Sequence, residues 1–182
     1  MSLRALRDQP FELLRELERR SLAALAEGAG AAAGEEWIGI AVRLGPDRFV
    51  VPRAQVREVL PVPTALTRVP GARSWLRGIA NLRGQLLALT DLKALFGAGT
   101  ASKERQARVL VVNHREVPAG LIVDEVIGFR RFPISGYQPA APATLLRAEQ
   151  YLDGAYRDGG DTWPVFDLYA LVEHERFQQA AE

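Results

Sequence analysis

The chain has 182 residues, 48% of them hydrophobic, with 23 Lys or Arg against 22 Asp or Glu for a formal net charge of +1. That length suits one domain or two small barrels, and the apolar fraction is enough for a packed core. The balanced charge argues against both a strongly basic nucleic-acid binder and a polyacidic tail. Cysteine is absent, which excludes disulfides, thiolate catalysis and Cys-based zinc or iron–sulfur sites and fits a cytosolic protein. No run approaches the roughly 20 apolar residues of a membrane span, so this chain is expected neither to be exported nor to insert in a membrane.

Residues 8–27 pattern as an amphipathic helix. Asp8 is placed to cap it, Pro10 suits the first turn, and Phe11, Leu14, Leu17, Leu22 and Leu25 recur near helical spacing. Such a helix either packs on its own domain or docks a partner. The run Gly28-Ala-Gly-Ala-Ala-Ala-Gly34 follows a helix and lacks a Gly-Lys-Ser/Thr ending. It therefore reads as a flexible linker, not a phosphate loop. Residues 1–36 are accordingly set apart as an N-terminal helix and linker.

From residue 37 the period becomes two. Ile38, Ile40, Val42 and Leu44 alternate with Gly39, Ala41 and Arg43, the pattern of a half-buried strand. Gly45-Pro46-Asp47 is a turn, Phe49 to Val51 a second strand, and Pro52 ends it or starts a short helical turn. Val56 to Leu60 is a third strand, and the three prolines of residues 61–70 mark a loop. Residues 75–92 then read as strand, tight turn with Arg83-Gly84 near its tip, strand, and a short helix capped by Asp91 and ended by Gly97. Residues 97–106 are small and polar, a junction.

Val109 to Val112 and Ala119 to Val123 are apolar strands joined through Asn113-His114-Arg115-Glu116, and Val126 to Phe132 is another strand. A Pro- and Ala-containing connection spans 133–147. A final hairpin turns at Asp158-Gly159-Gly160-Asp161, Asp167 caps a closing helix, and residues 177–182 are taken as a tail.

The chain carries a faint internal duplication. Leu87 to Phe96 resembles Thr162 to Leu171, each a strand ending in Asp-Leu-x-Ala-Leu, and Val51 to Val59 has a counterpart in Val123 to Phe129. Two five-stranded units, each a small barrel closed by a short helix, account for this pattern, and barrel closure also removes exposed strand edges. The expected architecture is mainly β: two barrel subdomains within residues 37–176, with junctions near 97–106 and 133–147.

No catalytic constellation is present. His114 and His174 lack metal-type spacing, and none of the serines sits in a nucleophile elbow. The Asp124-Glu125 pair is adjacent on an extended chain, where neighbours face opposite sides. Asp91 and Asp167 are read as helix caps. An ordered motif without nucleophile, base or oxyanion donors points to a protein-binding surface and not to an enzyme. The competing non-enzymatic reading, nucleic-acid binding, rests on Arg68, Arg73, Arg77 and Arg83 around Trp75 and gains nothing from neighbouring segments.

The segments Arg68-Val69-Pro70, Leu76 to Gly84 and Leu89-Thr90-Asp91-Leu92 resemble the signature of the CheW-like coupling proteins of bacterial chemosensory arrays. Phe49 to Val59, Gly120 to Val126 and Tyr151 to Gly154 fit the same pattern, so the resemblance covers roughly residues 37–175. It implies two SH3-like five-stranded barrels and a cytoplasmic adaptor recruited to membrane-associated arrays. That adaptor would bridge the cytoplasmic tip of a methyl-accepting receptor to the regulatory domain of a CheA-type histidine kinase, itself a homologous domain. Contacts with other CheW-like domains in the array are implied as well, and no cofactor or metal.

By the same resemblance Val56, Glu58, Gly78 and Arg83 fall on partner-binding positions. Read from the residues, Arg83 at a hairpin tip suits a bidentate carboxylate contact, and Glu58 and Arg83 are expected to pair on one surface. Gly78 permits close backbone approach or merely shapes the hairpin, and Val56 is equally consistent with a core position. The N-terminal extension with its Pro-Phe-x-Leu-Leu pattern resembles the coupling proteins of type IV pilus systems, and Ala88 stands where a proline is usual before Asp-Leu. Both features favour pilus control over the alternative, flagellar chemotaxis.

Overall fold

The computed structural model describes residues 36–100 and 106–180. The amphipathic helix expected at 8–27 and the linker after it lie outside the described residues. Residues Trp37–Glu182 group as one compact unit.

Strands β1 (Glu36–Leu44) and β2 (Asp47–Pro52) form a hairpin, followed by a 3-10 turn at Arg53–Gln55 and β3 (Val56–Pro61). Next come β4 (Leu76–Leu82), β5 (Gln85–Asp91), the one-turn helix α1 (Leu92–Leu95), β6 (Arg108–Val112) and β7 (Ala119–Val123). The chain continues through β8 (Glu125–Pro133), the short β9 (Tyr137–Gln138), β10 (Leu152–Asp158) and β11 (Asp161–Phe166), then α2 (Leu168–Glu173) and α3 (Glu175–Gln178).

These strands make two sheets, ordered β3-β6-β7-β5-β4 and β8-β1-β2-β11-β10-β9. The orders correspond position by position: β3 with β8, β6 with β1, β7 with β2, β5 with β11, β4 with β10. In both sheets the third and fourth strands run parallel (β7 with β5, β2 with β11). The duplication in the sequence is therefore a duplication of fold. The copies are interleaved, since β1 and β2 complete the sheet that β8 to β11 begin. The crossings between sheets fall at Arg53–Gln55 and at Asp124. The loops near 97–106 and 133–147, expected as junctions, instead connect elements belonging to a single sheet.

The two helical caps repeat the correspondence. Asp91 and Asp167 have φ of −84° each and ψ of 107° and 106°. The Asp91 carboxylate accepts from the Ala94 N–H at 3.2 Å, and that of Asp167 from the Tyr169 N–H at 2.8 Å. Their own N–H groups donate to Trp75 O and Tyr151 O, both at 2.8 Å. For helices this short a side-chain cap supplies much of the local order, because most backbone donors have no partner within the helix.

Alternation sorts the apolar side chains into three cores. Ala80, Leu87, Leu89, Val109, Val111 and Ile122 fill the barrel of β3 to β7. Ala41, Val50, Phe132, Tyr156, Trp163 and Val165 fill the other barrel. Ile40, Val42, Phe49, Val51, Leu110, Val112, Leu121 and Val123 face the opposite way, into a larger core shared by both sheets and closed by α1, α2 and α3. Strand β1, expected to be half-buried, is thus covered on both faces along its central residues: Ala41 enters one core while Ile40 and Val42 enter another. The tail expected from residue 177 also belongs to the fold. Phe177 is buried and stacks on Trp75 with ring centroids 6.0 Å apart.

A candidate protein-binding site

The sheet β3-β6-β7-β5-β4 ends in β3 on one side and β4 on the other, and side chains close the seam between them. Arg83 Nη1 lies 3.2 Å from Glu58 Oε2, and Arg57 Nη2 donates to Gln85 Oε1 at 2.5 Å. Glu58 lies on the side of β3 that carries Leu60, which packs on the barrel core. Arg83 sits at the tip of the β4–β5 hairpin with its side chain 75% exposed. The expected pairing of Glu58 with Arg83 is therefore present, and most of the Arg83 side chain remains exposed.

Gly78 and Val56 take no part in that ion pair. Gly78 occupies a bulge in β4 with φ +140°, and Thr67 and Ile79 exchange backbone hydrogen bonds across it at 2.8 and 3.0 Å. A Cβ at Gly78 would stand 2.5 Å from the Thr67 carbonyl oxygen. The glycine is required by the close approach of residues 67–68, which covers the edge of β4. Val56 is only 2% exposed and belongs to the shared core.

Val56 also forms part of the floor of a groove of about 290 Å³ where β3 meets β8. Ile40 and Val126 complete the floor, Val59 and Phe129 form apolar walls, and Arg53, Arg57 and Glu58 also line the groove, so that it adjoins the Glu58–Arg83 pair. Phe129 is 69% exposed. The sequence reading did not single out Val59 or Phe129. The available signal was alternation: counted from the buried Phe132, Phe129 falls with Ile127 and Arg131 on the exposed face of β8.

The remaining polar candidates have structural partners. His114 Nδ1 accepts from the N–H groups of Glu116 and Val117, and Nε2 lies 3.0 Å from Glu173 Oε1. His174 caps α3 through the Arg176 N–H. Asp124, 1% exposed, accepts from the Gly45 N–H at 2.7 Å and lies 3.5 Å from Lys93 Nζ and 3.9 Å from Arg43 Nη1. Arg43 also reaches Glu125 at 3.0 Å, so the adjacent carboxylates share one guanidinium. Trp75 is buried beneath Phe177 and Arg77 reaches Asp91 at 3.4 Å, which removes the aromatic platform that a strand-binding surface would need. Among the described residues no group of three or more His, Asp or Glu is placed to hold a metal ion, and no helix is long and apolar enough to cross a membrane.

Two interleaved barrels share one core, and their surface carries a side-chain-bridged seam and an apolar groove where β3 meets β8, features suited to binding another protein. Residues 39–176 match the model of the CheW-like domain, and the chain belongs to that family. It is 38% identical to Protein PilI of Pseudomonas aeruginosa, over 94% of this chain and 96% of that protein. It is 25% identical to the chemotaxis protein CheW of Klebsiella aerogenes, over 85% and 91% of the two chains. The fold matches the crystal structure of the scaffolding protein TtCheW from Thermoanaerobacter tengcongensis with a TM-score of 0.67 and 23% identity, covering 80% of this chain and 94% of that one.

Proposed function

We infer that this chain is a cytoplasmic adaptor coupling a methyl-accepting chemoreceptor to a CheA-type histidine kinase in an array that controls type IV pili. Membership of the CheW-like family and likeness to PilI along nearly the whole chain support the pilus assignment over a flagellar one. The observation that carries a specific contact is the exposed Arg83 guanidinium, held at the barrel seam by Glu58. An arginine preorganised in this way presents a planar donor fork to a carboxylate of the kinase regulatory domain. The groove between β3 and β8 suits the apolar stripe of a helical segment, the form assigned here to the receptor tip. Contacts with other CheW-like domains complete the array.

The mechanism is positional. The shared core makes the two barrels one body, so a shift of the receptor moves the kinase regulatory domain with it. The test is calorimetric titration of the full chain with its kinase's regulatory domain, wild type against Arg83→Ala. Saturable wild-type binding that weakens in a folded Arg83→Ala variant supports the assignment. Absence of wild-type binding at high micromolar concentration overturns kinase coupling, and unchanged affinity in the variant moves Arg83 out of the contact.

A further inference from the structure

The groove between β3 and β8 has an apolar floor, but its two sides differ in charge. The β8 side is made by Val126, Gly128 and Phe129 and carries no charged residue. At Gly128 it has no side chain, and a Cβ built there would meet nothing within 4 Å, which leaves room for the backbone of a partner. Every charged residue of the groove, Arg53, Arg57 and Glu58, lies on β3 or in the turn that leads into it. Arg57 and Val59 share the outer face of β3, so a cation and an apolar contact stand side by side on that wall.

The charges on the β3 side do not cancel. Glu58 is paired with Arg83. Arg53 Nη1 donates to Val56 O at 2.9 Å and Arg57 Nη2 to Gln85 Oε1 at 2.5 Å, both uncharged acceptors. Among the described residues neither guanidinium forms an ion pair with a carboxylate. Each keeps most of its N–H donors, and each is tethered by one bond, which lowers the ordering cost of a further contact. A groove that is apolar on all sides takes the stripe of a helix without fixing which flank of the helix faces which wall. Cations confined to one wall fix that choice.

We propose that Arg53 and Arg57 are specificity-determining residues of the groove: they select a receptor-tip helix that carries carboxylates along one flank of its apolar stripe, the flank laid against β3. The stripe itself rests on Val56, Val59 and Phe129. Charge complementarity selects this occupant, because an acidic flank meets two guanidinium groups without a counter-charge and a basic flank is repelled by them. The proposal rests on the assignment of the groove to the receptor and deepens it. It adds a chemical requirement on the partner, and it sets the rotation of the partner helix relative to the Glu58–Arg83 pair beside the groove.

The test is calorimetric titration of the full chain with a helical fragment of its receptor's tip, at about 50 mM and about 500 mM salt, which differ strongly in screening. Arg53→Glu and Arg57→Glu are each expected to weaken binding about tenfold or more at the lower salt and much less at the higher. Arg57→Lys keeps the charge and is expected to retain most of the affinity. A fragment whose flanking carboxylates are changed to Lys is expected to bind wild type weakly and to regain affinity for Arg57→Glu, a recovery that a misfolded variant cannot give. A fragment that binds with no carboxylate beside its apolar stripe overturns the proposal. Phe129→Ala separates the two readings. If it weakens binding while the arginine variants bind as wild type does, charge selection is rejected and the groove assignment stands. If none of these variants changes the affinity, both are rejected. If Arg53→Glu and Arg57→Glu lose the kinase regulatory domain and keep the receptor fragment, the groove belongs to the kinase and the proposal is overturned.

Discussion

Glu58 and Arg83 meet across the gap between β3 and β4, the unpaired end strands of the first sheet, with oxygen and nitrogen 3.2 Å apart. An ion pair this exposed adds little to stability, about 0–1 kcal/mol, because water and salt screen it. Arg83→Ala and Glu58→Ala are therefore expected to shift the unfolding free energy by less than about 1 kcal/mol each in urea titrations. If Arg83 contacts the kinase, Arg83→Ala loses affinity directly, while Glu58→Ala loses less because it only frees the guanidinium. A double-mutant cycle on binding reads the coupling, and additive losses would show that Glu58 does not position Arg83.

Gly78 responds differently. Alanine there meets the Thr67 carbonyl oxygen at 2.5 Å and must also hold φ near +140°. Both penalties act on the folded state, and together they are expected to cost about 2–4 kcal/mol in denaturant unfolding. Gly84→Ala, with positive φ but open space around the added methyl, is expected to cost about 1 kcal/mol. Equal costs at the two positions would mean that residues 67–68 move aside freely. Loss of partner binding in Gly78→Ala should then track loss of folded protein and not a missing contact.

How much of this was legible beforehand follows from what local patterns encode. Strand positions, both Asp caps and the β4–β5 turn were readable because alternation, N-cap chemistry and Arg-Gly or Gly-Gly turns are local signals. The Glu58–Arg83 pair was anticipated because the family resemblance singled out both residues and the turn signal placed Arg83 at a hairpin tip. The interleaving was not, because nothing local to β1 and β2 says that they pair with β8 and β11. For the same reason Ala41 read as a solvent-side residue when it enters a second core. Leu86 and Leu87 are adjacent leucines of equal hydropathy. Only cross-strand register shows that one is 1% exposed and the other 67%.

Phe129 tests the groove without disturbing the fold. Its side chain is mostly in water, so Phe129→Ala is expected to leave thermal stability within about 0.5 kcal/mol of wild type. Losing an aromatic wall from a 290 Å³ apolar groove should weaken a helical partner by about tenfold or more. Binding of a receptor-tip peptide is the measurement, with the kinase domain as comparison. A loss confined to the receptor places it in the groove. A loss confined to the kinase exchanges the two assignments.

Asp124 is the position at which the chain crosses from one sheet to the other, and its carboxylate is almost fully buried. It holds the β1–β2 turn through the Gly45 N–H, neutralises Lys93 on α1 and draws in Arg43. Removing it leaves a backbone donor without this acceptor and the Lys93 ammonium, itself largely buried, without this counter-charge. Asp124→Ala is therefore expected to cost about 3–5 kcal/mol, the range for breaking a buried pair from one side. Asp124→Asn keeps an acceptor for Gly45 but not the charge, and should fall between alanine and wild type. Pairing each with Lys93→Met separates the contributions: if the charge is what matters, Lys93→Met recovers part of the loss in Asp124→Asn. No recovery would assign the cost to the Gly45 hydrogen bond and the turn it anchors, and the link between the sheets would then run through the backbone and not through the α1 lysine.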